Sequence, residues 1–203
     1  MNNKSSNPLN LRIAVVGGMA AGKSTLLEHF QQSGYPVISM DKEILQLTQN
    51  PPHSYSDINN YFGFSVYTLQ NGVFTFNLPA VLSHIHSSRK AYQHWQKFWA
   101  MLARNTYLEV YKHDTISVVE FPMLFEAELE ADFNRIIFVD TPWRTRLERF
   151  KARGYTEHDF WKREKLHFST EWKRAHADYI VQGERDTCNF AALLTEINNS
   201  VES

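Results

Sequence analysis

The chain has 203 residues, with 21 Lys and Arg against 22 Asp and Glu, a formal net charge of −1, 43% hydrophobic and 14% aromatic residues. That is length enough for a domain with its own core, and the composition excludes a disordered chain, which carries more charge and fewer aromatics. The balanced charge speaks against a general nucleic-acid binder, and the lack of any run of about 18 apolar residues excludes insertion in a membrane as a helix.

Residues 1 to 10 read as a polar leader, with no apolar run of a signal peptide. Leu11 to Val16 then form a short apolar run of the kind that makes a buried parallel strand. Pro36 to Ser39, Ile116 to Val119 and Arg135 to Val139 repeat the pattern, and Tyr179 to Val181 is a weaker fifth strand. Between them, Lys23 to Ser33 predicts a helix stopped at Gly34. A second helix, with Thr141 as N-cap and Pro142 at its first position, runs to Gly154. Strands alternating with helices predict an α/β fold with a parallel sheet.

From Asp41 to Thr115 the pattern changes. Residues 44 to 88 contain no Lys or Arg, and Asp57 is their one formal charge, while aromatics are dense. Asn71-Gly72 marks a turn, Asn77 with Pro79 can start a helix, and Ser88 to Lys112 reads as a long helix with Trp95, Phe98, Trp99, Leu102 and Thr106 on its apolar stripe. The segment is expected to be a mostly helical insertion whose aromatics form a core; stacking an adenine is a second use open to them.

Directly after the first strand, Gly17-Gly18-Met19-Ala20-Ala21-Gly22-Lys23-Ser24-Thr25 fits G-x-x-x-x-G-K-[ST]. Its glycines let successive backbone N–H groups point into one cavity, and the helix that follows adds its positive N-terminus. Lys23 can bridge the outer phosphates of a nucleotide, and the Ser24 hydroxyl is a hard oxygen ligand for Mg²⁺. Neither N-K-x-D, a D-x-x-G switch nor an L-S-G-G-Q signature occurs, which argues against GTPase switches and transport ATPases. Asp41, at the end of the second strand, faces the crevice where open α/β sheets build their sites. It can accept a proton from a hydroxyl or hold Mg²⁺ through water, or simply cap the next helix. Glu120 ends another strand, in position either for the metal's water shell or as a solvated acid. Arg146, Arg149 and Arg153 form one helical stripe that can lean over the cleft and clamp a phosphoryl group, or lie as a basic surface face.

On these residues, and on Val37-Ile38-Ser39-Met40-Asp41, Val119-Glu120-Phe121-Pro122-Met123-Leu124-Phe125-Glu126 and Ala177-Asp178-Tyr179-Ile180-Val181-Gln182-Gly183, the chain resembles the dephospho-CoA kinase family over residues 11 to 183. The resemblance implies a P-loop fold like that of the nucleoside monophosphate kinases, with a five-stranded parallel sheet. It implies a core of residues 11–49, 114–149 and 176–203, a helical CoA-side insertion over 50–113 and a lid over 150–175. The implied reaction transfers the γ-phosphoryl of ATP, with Mg²⁺, to the ribose 3′-hydroxyl of dephospho-CoA. Asp41 is the implied base, with Lys23 and Arg149 also catalytic. Gly17, Gly18, Ala20, Ala21, Gly22, Lys23, Ser24, Thr25 and Arg153 bind the nucleotide, and Ser24 and Glu120 serve the metal.

The chain departs from the family pattern on the acceptor side. Ser39 stands where the family has the first acid of D-x-D, Leu45 where it tends to have an Arg, and Ala100-Met101-Leu102-Ala103 about where its His-Pro pair would stand. Alternatives are a P-loop kinase of another hydroxyl acceptor and a nucleotide-binding module without turnover. His84 and His86, about 200° apart on a helix, cannot share a metal. The single Cys188 points to a structural thiol in a reducing, cytoplasmic setting. A monomer without nucleic-acid or membrane partners is expected.

Overall fold

A computed structural model describes residues 11–49, 55–110, 117–165, 167–183 and 190–199. The leader and Cys188 lie outside the described residues. Five parallel strands form the main sheet: β1 (Arg12–Gly17), β2 (Val37–Ser39), β5 (Ser117–Glu120), β6 (Arg135–Asp140) and β7 (Tyr179–Gln182), in the order β2-β5-β1-β6-β7. Each falls within a residue or so of its apolar run in the sequence.

Alternation along the strands sends successive side chains to opposite faces. On one face, Ile13, Val15, Val118, Ile137 and Val139 pack with Leu26, Leu27 and Phe30 of α1 (Lys23–Gln32) and with Leu193 and Ile197 of α9 (Phe190–Asn199). On the other, Ala14, Val16, Ile38, Val119, Ile136 and Phe138 pack with Phe121, Leu124, Phe125 and Leu129 from the segment after β5. Because both faces are covered, the strands read as continuous apolar runs rather than alternating ones. Parallel pairing also brings the carboxyl ends of all five strands to one edge. Ser39 is in register with Glu120, and Glu120 with Val15.

After β2 come α2 (Met40–Gln49) and α3 (Tyr55–Phe62), then a feature absent from the expected helical insertion. Tyr67–Gln70 (β3) and Val73–Phe76 (β4) pair antiparallel across Asn71-Gly72, both at positive φ, 52° and 77°. Asn-Gly flanked by apolar alternation is a hairpin signal; the turn was expected from the sequence, the two strands beside it were not. Asn77 caps α4 (Leu78–Ser87) by accepting from the Ala80 N–H, and α5 (Arg89–Val110) follows. Ile58, Val66, Tyr67 and Val81 form a separate core here with Phe62, Phe64, Phe76, Trp95 and Phe98. Phe62, Phe64, Phe76, Trp95 and Phe98 thus serve packing; the side chains of Trp99, Leu102 and Thr106 fall outside the described set.

α6 (Trp143–Ala152) starts one residue later than expected, with Pro142 as its N-cap. Thr141 does not cap it. Its hydroxyl instead donates to the Ala21 carbonyl at 2.7 Å, tying the end of β6 to the loop after β1. α7 (Glu157–Glu164) and α8 (Thr170–Ala175) complete the chain before β7. A fourth cluster of Ala20, Leu147, Phe150 and Phe160 joins α6 and α7 to the P-loop.

Candidate active site

The carboxyl edge of the sheet opens into a cavity of about 670 Å³, ordinary for a small-molecule site. One side is residues 17 to 24 of the P-loop. Gly22 has φ +101°, a backbone conformation costly for any side chain, and its carbonyl accepts the Leu26 N–H as α1 begins. Lys23 is buried, and its ammonium donates to the carbonyls of Gly18 at 3.1 Å and Gly17 at 3.4 Å. Ser24 lines the cavity; Thr25 is exposed and does not line it.

Asp41, in the first turn of α2 just past β2, and Glu120, at the end of β5, face the same cavity. The Ser39 hydroxyl donates to Glu120 Oε2 at 2.8 Å, as their register requires. Asp41 is exposed and lines the cavity. Burial among protein atoms is the first cause that raises its pKa, the Glu120 charge adds to it, and Lys23 and His167 oppose it. Lys23 is shifted down, first by burial and further by Lys173 and Arg146, against the pull of Glu120 and Asp41.

The arginine stripe divides. Arg146 is buried and grips Glu164 of α7 with both ends of its fork, Nη1–Oε1 and Nη2–Oε2 each 2.9 Å, while its Nε donates to the Thr141 carbonyl. Arg149 donates to the carbonyls of Ala20 and Ala21 at 3.3 Å and of Gly183 at 3.2 Å, and is not among the cavity's lining residues. Three loop carbonyls thus hold the Arg149 guanidinium against the P-loop in this structure. Arg153 does line the cavity.

The remaining walls come from residues that the sequence reading did not assign to the site. Leu82, Ile85, His86 and Tyr92 belong to the insertion, and Tyr155, Arg163, His167 and Lys173 to the segment after α6. Arg163 lies over the rings of Phe150 and Tyr155 at 5.6 and 5.0 Å. Under this wall sits Glu126, its side chain wholly buried. Its Oε1 accepts from Lys173 Nζ at 2.7 Å and the Phe168 N–H at 2.9 Å, and His167 Nδ1 is 3.3 Å away. Burial would raise the Glu126 pKa, but His167 and Lys173 together hold it down at about 2. The signal for Glu126 was its place at the end of Pro-Met-Leu-Phe-Glu. Nothing local marks Lys173, which sits on a six-residue helix.

Among the described residues no group of three or more His, Cys, Asp or Glu is placed to hold a metal. The donors facing the cavity, Ser24, Asp41 and Glu120, are all hard oxygens, a set that fits a Mg²⁺ retaining most of its waters.

A loop-and-strand site of this kind is shared by many kinases, and comparison with known proteins decides among them. The dephospho-CoA kinase family model matches residues 11–188. The chain belongs to the dephospho-CoA kinase family. Curated members are similar along most of their length. The dephospho-CoA kinase of Chlorobium luteolum is 29% identical over 187 residues, covering 85% of this chain and 82% of that protein. That of Aquifex aeolicus is 26% identical, covering 84% and 87%. Among solved structures, the dephospho-CoA kinase from Campylobacter jejuni shares the fold with a TM-score of 0.62 at 21% identity, covering 93% of this chain and 98% of its own. Shikimate kinase from Acinetobacter baumannii shares it more distantly, at a TM-score of 0.52, 16% identity and coverage of 95% and 93%.

Proposed function

We infer that this member of the dephospho-CoA kinase family transfers the γ-phosphoryl of ATP to the ribose 3′-hydroxyl of dephospho-CoA, giving coenzyme A and ADP, with its residues acting as follows. The observation that carries the reading is the meeting of Lys23, Ser24, Asp41 and Glu120 in one cavity at the carboxyl edge of the sheet. The loop amides and Lys23 bind the β- and γ-phosphates. Asp41 takes the proton of the acceptor hydroxyl as its oxygen bonds to phosphorus and the bond to the ADP oxygen breaks. A raised pKa makes Asp41 a better base than an ordinary carboxylate.

Mg²⁺ would be held by Ser24 directly and by Asp41 and Glu120 through its waters, and would neutralise charge on the phosphates. Ser39, donating to Glu120, fixes one of that acid's oxygens and leaves the other for the metal's waters. Arg153 and Arg163 contact the nucleotide from the lid side, while Arg149 keeps the P-loop in shape.

The proposed division is a core (11–49, 114–149, 176–203), a CoA-side insertion (50–113) and a lid (150–175). The separate core of the insertion and the cluster joining α6 and α7 to the P-loop support it. Action as a monomer in the cytosol belongs to the same proposal, in keeping with the single cysteine of the sequence.

Purified protein with Mg-ATP and a panel of acceptors, followed by ADP release, tests the reading. Turnover with dephospho-CoA above other hydroxyl compounds is expected; turnover confined to another acceptor sinks it. If dephospho-CoA is not turned over, the retained Lys23 and Asp41 favour another acceptor over loss of all turnover, with Ser39 and Leu45 as the acceptor-side departures.

A further inference from the structure

The positive charge that faces the cavity from the far end of the chain is Lys173. It is 3% exposed yet lines the cavity. An ammonium has three N–H donors. Lys173 gives one to the Pro122 carbonyl at 2.8 Å and one to Glu126 Oε1 at 2.7 Å, both groups of the segment that follows β5. A third donor remains beyond these two bonds, on a side chain that lines the cavity. Glu126 is in turn locked by the Phe168 N–H and by His167, so the ammonium is held from two directions before any ligand arrives. It acts on Lys23 across the same space, lowering that group's pKa. Two buried lysines facing one cavity repel each other, and a polyanion between them removes the repulsion.

We propose that Lys173 is a second phosphate-binding cation of this site, its ammonium contacting the γ-phosphoryl group of ATP while Glu126 and Pro122 hold it in place. Arg146 is engaged by Glu164 and Arg149 by loop carbonyls, whereas Lys23, Arg153, Arg163 and Lys173 line the cavity, and of the last three Lys173 is the buried one, held by Pro122 and Glu126. Charge on a transferring phosphoryl group needs fixed cations, and Lys173 is already fixed. The proposal rests on the kinase reading above, but its test uses nucleotide binding alone and stays readable if the acceptor is not dephospho-CoA.

The variant is Lys173→Met combined with Glu126→Gln, which removes both members of the pair and strands no buried charge. Calorimetric titration with ADP and with a non-hydrolysable ATP analogue, each with Mg²⁺, is compared with wild type. ADP affinity is expected to stay the same and affinity for the analogue to fall about tenfold, the worth of one charge-assisted hydrogen bond. Parallel losses for both nucleotides, or no loss for either, overturn the proposal and leave Lys173 a structural residue. Should the double variant not fold, the Lys173 Nζ resonance of wild type is followed instead. A shift with the analogue beyond that with ADP supports the contact, and equal responses contradict it.

Discussion

Replacing Glu126 by Gln keeps the shape of the side chain and an oxygen for the Phe168 N–H, but removes the charge that faces Lys173. The carboxyl group titrates near 4.5 when free and is held at about 2 in the fold. At about 1.4 kcal/mol per pKa unit, that difference stabilises the native state by about 3 kcal/mol. A depressed carboxyl pKa contributes fully above its unfolded value, and the contribution is lost as pH falls toward the folded one. About 2 kcal/mol of it is gone by about pH 3. Urea unfolding of wild type and variant at neutral pH and near pH 3 measures both parts. At neutral pH the variant should be less stable by about 3 kcal/mol, the usual cost of breaking a buried pair from one side, and near pH 3 the gap should shrink by about 2 kcal/mol. A gap that stays constant with pH would refute the reasoning, because the carboxylate would then not be held charged by its neighbours.

Gly183→Ala places a Cβ 2.2 Å from the Ala21 carbonyl oxygen and 2.1 Å from Thr141 Oγ1; the P-loop must shift, so ATP affinity and melting temperature both fall, with about 1–3 kcal/mol lost in stability. Asp41→Asn should lower kcat by about 10²- to 10⁴-fold with little change in ATP affinity. In wild type, kcat should decline as pH falls through the raised pKa of Asp41, a decline the Asn variant lacks; near wild-type kcat in that variant would remove Asp41 as base. Arg149→Met should weaken ATP binding and lower the melting temperature through loss of the loop brace, while kcat at saturating ATP stays near wild type; a fall in kcat alone would restore Arg149 as a catalytic clamp.

The sheet and the P-loop were legible because their signals are local. A buried parallel strand shows as an apolar run, and G-x-x-x-x-G-K-S stands between the first run and a helix. Asp41 and Glu120 were legible for a related reason, since parallel strands carry their carboxyl ends to one edge. Helical phase suggested one stripe of Arg146, Arg149 and Arg153, but phase does not name partners, and the three go to different places. Arg149 finds Gly183, 34 residues on, and Arg146 finds Glu164, 18 residues on. In the wall of Glu126, His167 and Lys173, Glu126 lies more than 40 residues from the other two, so no window of sequence displays it. The β3-β4 hairpin was missed differently: Asn71-Gly72 was read as a turn, and the alternating residues on either side were not read with it.

Locating the phosphate in the product tests the central claim most directly. Dephospho-CoA is incubated with ATP, Mg²⁺ and the protein, and the product is examined by phosphorus and proton NMR. The account predicts one new phosphomonoester on the ribose 3′-oxygen, formed in equal amount with ADP. ADP formed without that ester, or a phosphate carried elsewhere on the acceptor, would contradict it.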